Sequence, residues 1–143
     1  MSINESERQR RKTLVYAHMA AENAHDVDKV IETFADDTEM IFNGLSVRDH
    51  KIIHHLHTQF AFSADQSAIT GTRLVAEREH FTDDEIVIEG RLCGKHVADW
   101  GSYPATGRDV ELPYIAFYRF DSDGKLSSER VVMDFGALLN PPD

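Results

Sequence analysis

Long apolar runs are missing from this 143-residue sequence. No stretch approaches the roughly 18–20 consecutive apolar residues that a membrane-spanning helix needs, and the first residues, Met1-Ser2-Ile3-Asn4-Glu5, lack the apolar middle of a secretory signal. A cytoplasmic location is therefore expected, without a membrane partner. Cysteine is nearly absent as well: Cys93 stands alone, which excludes an internal disulfide and any zinc site built on several cysteines. Positive charge is scarce, with 15 Lys+Arg against 25 Asp+Glu for a net charge of -10. Such a chain repels phosphate backbones and anionic lipid, so no nucleic-acid partner is expected. Proline and glycine number only 4 and 8 and form no linker, and no repeat or low-complexity tract interrupts the chain. What remains is 41% hydrophobic and 28% charged, enough to bury a core, and residues 1–143 suit one domain.

The first half of the chain reads as helical. Asn4-x-x-Glu7 resembles a capping box, and Leu14, Val15, His18 and Met19 recur at helical spacing over 5–23. Arg8, Arg10, Arg11 and Lys12 read as a solvated face of that helix. Asp26 can cap a second helix with a Val27, Val30, Ile31, Phe34 stripe, ending near Ala35-Asp36-Asp37. A short strand over 39–42 stops at Asn43-Gly44, and a third helix is expected over 47–62 with Ile52, Ile53, Leu56 and Phe60 facing the core. The second half changes period. Stretches 68–81, 85–99, 109–120 and 125–135 are β-rich and separated by turn signals, which predicts an antiparallel meander. Helices first and strands after imply an α+β fold with helices on one face of a curved sheet.

Two polar constellations stand out. On the last strand Arg130, Val132 and Asp134 share one face and Val131, Met133 and Phe135 the other, because strand side chains alternate. Asp134 reads equally as an exposed acid near the strand end or a partly buried acid with a raised pKa. His50, His54 and His57 form a stripe on the third helix whose spacing suits zinc, but no further ligand or general base stands nearby. No metal and no cofactor are expected.

The residues Gly94-Lys95-His96, Trp100, Pro104-Ala105-Thr106-Gly107-Arg108, Phe117-Tyr118-Arg119-Phe120, Asp123-Gly124-Lys125 and Val132-Met133-Asp134 resemble the SnoaL-like polyketide cyclases of the NTF2-like, ketosteroid-isomerase-like superfamily. His18, Asn23, Asp26, Thr33-Phe34 and Asp36-Asp37 extend the resemblance over nearly the whole chain. It implies an NTF2-like cone: three N-terminal helices packed on a strongly curved, mainly antiparallel sheet that encloses an apolar pocket, usually in a homodimer. It also implies that Asp134 points into the pocket as the acid/base of an intramolecular aldol closure or a related isomerisation of a small hydrophobic carbonyl compound. His96 matches a family histidine and would donate to substrate oxygen or orient the acid. Trp100, Tyr114 and Tyr118 would line the cavity or pack in the core or a dimer seam; Asn43 is a pocket contact or, as Asn43-Gly44, an ordinary turn, and Arg130 a pocket contact or a solvated side chain. Lys95, Val97 and Ala98 depart from the family pattern around His96, so substrate identity does not carry over.

Two other readings stand beside the cyclase. A limonene-epoxide-hydrolase-like enzyme would use Asp99 as a first carboxylate, although Val97 stands where that branch has arginine. A non-catalytic small-ligand-binding module is the other, since fold alone does not fix function. Convergence of Asp134 and His96 on one pocket separates catalysis from binding.

Overall fold

The architecture was read from a computed structural model, which describes residues 2–139. Helix α1 spans Glu5–Asn23 and starts where Asn4 Oδ1 accepts the Glu7 backbone N–H at 2.8 Å. Glu7 does not reach back to complete a capping box; its carboxylate pairs with Arg10 and Arg11 on the exposed face. The opposite face buries Val15, His18, Met19, Ala21 and Glu22. Two charge-bearing side chains thus occupy positions that the periodicity reserves for the core.

Helix α2 is short, Val27–Glu32, capped by Asp26. Strand β1 then begins at Phe34 and runs to Phe42, earlier than the expected 39–42, so Phe34 lies on a strand instead of a helical stripe. The cause is tertiary: the Leu126 N–H donates to the Thr33 carbonyl, and Phe34 pairs with Leu126, drawing the chain into the sheet. Asn43 and Gly44 turn the chain with positive φ into β2, Leu45–Val47.

The expected helix over 47–62 divides into α3, His50–His57, and a wider π-turn, Thr58–Phe62. Ile53 and His57, four apart, take the buried face, while Ile52 is 51% exposed and does not face the core as its apolar character suggested. The π-turn buries Phe60, Ala61 and Phe62 together, which a continuous α-helix would spread around its circumference.

The remaining strands are β3 (Ile69–Phe81), β4 (Glu85–His96), β5 (Asp109–Phe120) and β6 (Leu126–Met133). They form the expected meander, and β6 inserts between β5 and β1 to give the order β2-β1-β6-β5-β4-β3. Only β1 and β6 are parallel among the paired strands. Register shifts in the β3–β4, β5–β6 and β1–β6 ladders bend the sheet so that one face becomes concave. Alternation on β5 is clean: Val110, Leu112, Tyr114, Ala116 and Tyr118 point inward, and Asp109, Glu111, Ile115 and Arg119 outward. The helices cover the concave face, giving the NTF2-like α+β cone. No helix among the described residues is long and apolar enough to cross a membrane.

Candidate functional site

Between the concave sheet face and the helices lies a cavity of about 70 Å³. Phe42 from β1, Leu56 from α3, Phe60 and Phe62 from the π-turn, Leu74 from β3, Trp100 and Val131 make its walls apolar. Phe60 stacks at 4.8 Å from Trp100 and 5.2 Å from Phe42, so three elements share one aromatic wall. Polar atoms gather at one end, where Glu22, His57 and Glu129 reach the cavity with His18 behind them.

The cluster is fully interior. His18 is 0% exposed and Glu129 3%. His18 Nδ1 lies 2.7 Å from Thr33 Oγ1, whose own proton goes to the Val30 carbonyl, so Nδ1 carries a hydrogen and donates. His18 Nε2 lies 2.7 Å from Glu129 Oε2 and 3.2 Å from Glu22 Oε1. Neither oxygen lies along the N–H direction, so Nε2 makes close ionic contacts without an aligned hydrogen bond. Burial works against a charge on His18, but the two carboxylates outweigh it and raise the pKa to about 10. Burial likewise opposes charge on Glu129, yet His18, His57 and the Tyr118 hydroxyl hold its carboxyl below the usual range. Burial and the facing carboxylates push the Tyr118 and Tyr114 phenols up, so both remain proton donors.

On the opposite side of the cluster, His57 Nδ1 lies 2.8 Å from the Ile53 carbonyl and donates to it. Its Nε2 then faces Glu22 Oε2 at 3.8 Å and Glu129 Oε1 at 4.0 Å. Tyr118 sits directly opposite Glu129 in the β5–β6 ladder. Tyr114 lies two inward positions further along β5, past Ala116, and its buried hydroxyl has no hydrogen-bond partner. His18, Glu22 and His57 each offer a ligand atom within 4.8 Å of the others, so these residues have the spacing to hold a metal ion.

The sequence-predicted residues divide between this cavity and the surface. Trp100, Tyr114 and Tyr118 line the cavity. Asp134 does not: it lies just past β6, exposed, and its Oδ1 accepts the Gly136 N–H at 2.7 Å. The alternation on β6 is as expected, but the cavity lies on the Val131 and Met133 side, which leaves Arg130, Val132 and Asp134 outside. His96 is buried at the end of β4 without reaching the cavity; its Nδ1 accepts the Thr106 N–H at 3.3 Å and ties down the turn that follows. Asp134 and His96 therefore do not converge on one pocket, which counts against catalysis by that pair and, by the criterion set on the sequence, favours binding; any acid/base reading must rest on other residues.

The other predicted contacts also have local work. Asn43 is exposed, and its amide exchanges two hydrogen bonds with the Met133 backbone at 2.8 and 3.0 Å, clamping β6 to the β1 turn. Asp99 accepts the Ala105 N–H at 2.8 Å in an exposed turn, away from the lining, so it does not supply a cavity carboxylate. Arg130 lies 4.0 Å over the outward Phe117 ring. Of the histidine stripe only His57 enters the cavity, because His50 bonds the Ala35 carbonyl and His54 pairs with exposed Asp28.

Sequence reasoning missed His18, Glu22 and Glu129. The available signals were a His-x-x-x-Glu pair on the buried face of α1 and a glutamate on the Val131 face of β6.

A cone of helices on a curved sheet, with an apolar cavity of one polar end between them, defines the NTF2-like, ketosteroid-isomerase-like class of folds. Residues 15–129 match the SnoaL-like domain, and the chain belongs to that family. A proposed SnoaL-like polyketide cyclase from Jannaschia sp. CCS1 superposes with a TM-score of 0.76 at 19% identity, covering 94% of each chain. AclR, a proposed hydroxylase from Streptomyces galilaeus, gives 0.72 at 18% identity over 90% of this chain and 77% of its own. A protein of ketosteroid-isomerase-like fold from Catenulispora acidiphila, solved with trimethylamine, gives 0.70 at 15% identity and covers 88% of each. At these identities the likeness is one of fold. No curated protein matches the chain in sequence.

Proposed function

We propose that the protein is an acid/base enzyme, needing no cofactor, that moves a proton on a small hydrophobic carbonyl compound held in the cavity, as a cyclase or a related isomerase does. The observation that carries this reading is a carboxylate, Glu129, placed at the polar end of an otherwise apolar, partly open cavity and backed by His18. Glu129 takes a proton from the carbon beside the carbonyl, and the electron pair moves onto oxygen as an enolate. A tyrosine hydroxyl on β5 donates to that oxygen. The enolate carbon then attacks a second carbonyl, closing a ring, or takes the proton back at another carbon. In either case Glu129 returns its proton and ends as it began.

Size limits the substrate. A cavity of about 70 Å³ is well below the roughly 300–1,000 Å³ of sites for drug-sized ligands. Compact ketones and 1,3-dicarbonyl compounds fit it better than fused-ring polyketides. In this reading the protein pairs with a second copy through its outer sheet face, where Ile115 and Val132 are cross-strand neighbours and both exposed.

The test is deuterium incorporation at the carbon beside the carbonyl of small cyclic ketones and 1,3-dicarbonyls in heavy water. The wild-type protein accelerates it, and Glu129→Gln, which keeps the shape but holds no transferable proton, lowers the rate by about 10²-fold or more while its far-ultraviolet dichroism stays native, although loss of the buried pair with His18 lowers its melting temperature. Full exchange in Glu129→Gln overturns the mechanism. Ligand binding without any exchange in the wild type makes the protein a binding module instead.

A further inference from the structure

The two buried histidines and two buried glutamates do more than surround one proton. We propose that His18, Glu22, His57 and Glu129 form a binding site for a divalent transition-metal ion, zinc being the best fit, with Nε2 of each imidazole and one oxygen of each carboxylate as ligands. This inference does not rest on the carbonyl chemistry above.

Distances come first. Around a tetrahedral ion with bonds of roughly 2.0–2.1 Å, neighbouring ligand atoms stand about 3.4 Å apart. The four histidine–carboxylate separations here are 2.7, 3.2, 3.8 and 4.0 Å, which bracket that value. The ligand atoms of His18, Glu22 and His57 also lie mutually within 4.8 Å. Side-chain rotations that move ligand atoms by about an ångström bring the set to that spacing.

Ring orientation is the second argument. Both histidines spend Nδ1–H on a fixed oxygen, His18 on Thr33 Oγ1 and His57 on the Ile53 carbonyl. Each therefore presents Nε2 to the carboxylates, which is the outer-shell arrangement that orients metal-bound imidazoles. His18 Nε2 is moreover a buried nitrogen with no aligned hydrogen-bond partner, although two carboxylate oxygens crowd it. An ion between those oxygens and Nε2 would satisfy all three.

Charge and ligand type agree. When the ion displaces the Nε2 proton of His18 to solvent, two carboxylates, two neutral imidazoles and a dication sum to zero in a water-poor interior, where uncompensated charge is expensive. A mixed nitrogen and oxygen donor set suits zinc and its neighbours, whereas calcium and magnesium prefer oxygen throughout. Glu22, His57 and Glu129 line the cavity, which supplies the route in. A bound ion occupies the Glu129 oxygen that would otherwise accept a proton, so metal loading and proton transfer exclude one another.

The experiment is a titration of the chelator-stripped, full-length protein with Co²⁺, followed by its visible absorption and by native mass spectrometry. One Co²⁺ per chain with the intense bands of a tetrahedral site, displaced by one Zn²⁺, is expected. His57→Ala and Glu22→Gln should abolish those bands. Thr33→Val, which removes the oxygen that aims His18, should weaken binding about 10-fold or more. His54→Ala and His80→Ala, at exposed pairs with Asp28 and Glu89, serve as surface controls and should change nothing. Absence of binding by the folded wild type overturns the proposal, as does stoichiometric binding that survives His57→Ala or Glu22→Gln. Should either cavity variant fail to fold, a Co²⁺ affinity about 10-fold weaker in Thr33→Val at unchanged far-ultraviolet dichroism supports the site, and wild-type affinity in that variant overturns it. The deuterium exchange assay stays separate: its failure leaves the cobalt result standing, and an absent cobalt signal leaves the exchange result standing.

Discussion

Glu129 and Arg130 are consecutive residues on β6 that look into different worlds: Glu129 is 3% exposed beside His18, and the Arg130 guanidinium lies 4.0 Å over the Phe117 ring on the outer face. Arg130→Ala should therefore leave deuterium exchange unchanged. It should lower stability by about 0.5–1 kcal/mol, the usual scale of an exposed cation–π contact, measurable as a small shift of the urea midpoint without a change in slope.

Asp134→Asn separates the outer strand end from the cavity. The asparagine oxygen can still accept the Gly136 N–H, and no cavity atom is touched. Exchange rate and melting temperature should both match wild type. A hundredfold loss of exchange in this variant would return the acid/base role to Asp134.

Gly90 is required by packing. A Cβ there would stand 2.2 Å from the Val75 carbonyl oxygen and 3.1 Å from the Tyr114 hydroxyl. Gly90→Ala should cost about 1–3 kcal/mol, as overpacking of a filled interior does, and should displace Tyr114 from the cavity wall. Calorimetry reads the first effect, and the tyrosine fluorescence response to a bound ketone reads the second.

Acid should loosen the start of α1. The Arg10 and Arg11 guanidiniums, as hydrogen-bond partners, lower the Glu7 pKa from 4.5 to about 2. A folded value below the unfolded one means that the contribution is present above about pH 4.5 and is lost as pH falls toward 2. Amide exchange at the first turn of α1 should accelerate across that window. Glu7→Gln should remove the pH dependence, leaving the turn equally loose at pH 6 and pH 3.

The fold was legible where periodicity and turn chemistry act locally. The Asn4 cap, the α1 span and the β3-to-β6 meander follow from residues a few positions apart. The start of β1 did not, because Phe34 is drawn into the sheet by Leu126, far along the chain. The site was legible in its apolar part: Trp100, Tyr114 and Tyr118 line the cavity because large aromatic rings need burial wherever the sheet curves. Its polar part was hidden by the same logic. His18 and Glu22 sit among core positions where each alone looks like noise, and their meaning depends on Glu129, which only tertiary structure brings to them. Strand alternation separated Glu129 from Asp134 correctly, but alternation cannot say which face is concave. The bends that decide it are register shifts, which leave no fixed sequence mark.

The position of β6 between β5 and β1 has a consequence for the order of assembly. A chain emerging from the ribosome can close the β3–β4–β5 hairpins and the α1–α2 pair early, but β1 and β5 must wait as unpaired edges until β6 arrives. That interval exposes two strand edges to other nascent chains. The strand that relieves the danger is the one that delivers Glu129, so the cavity acquires its chemistry in the same event that makes the sheet safe.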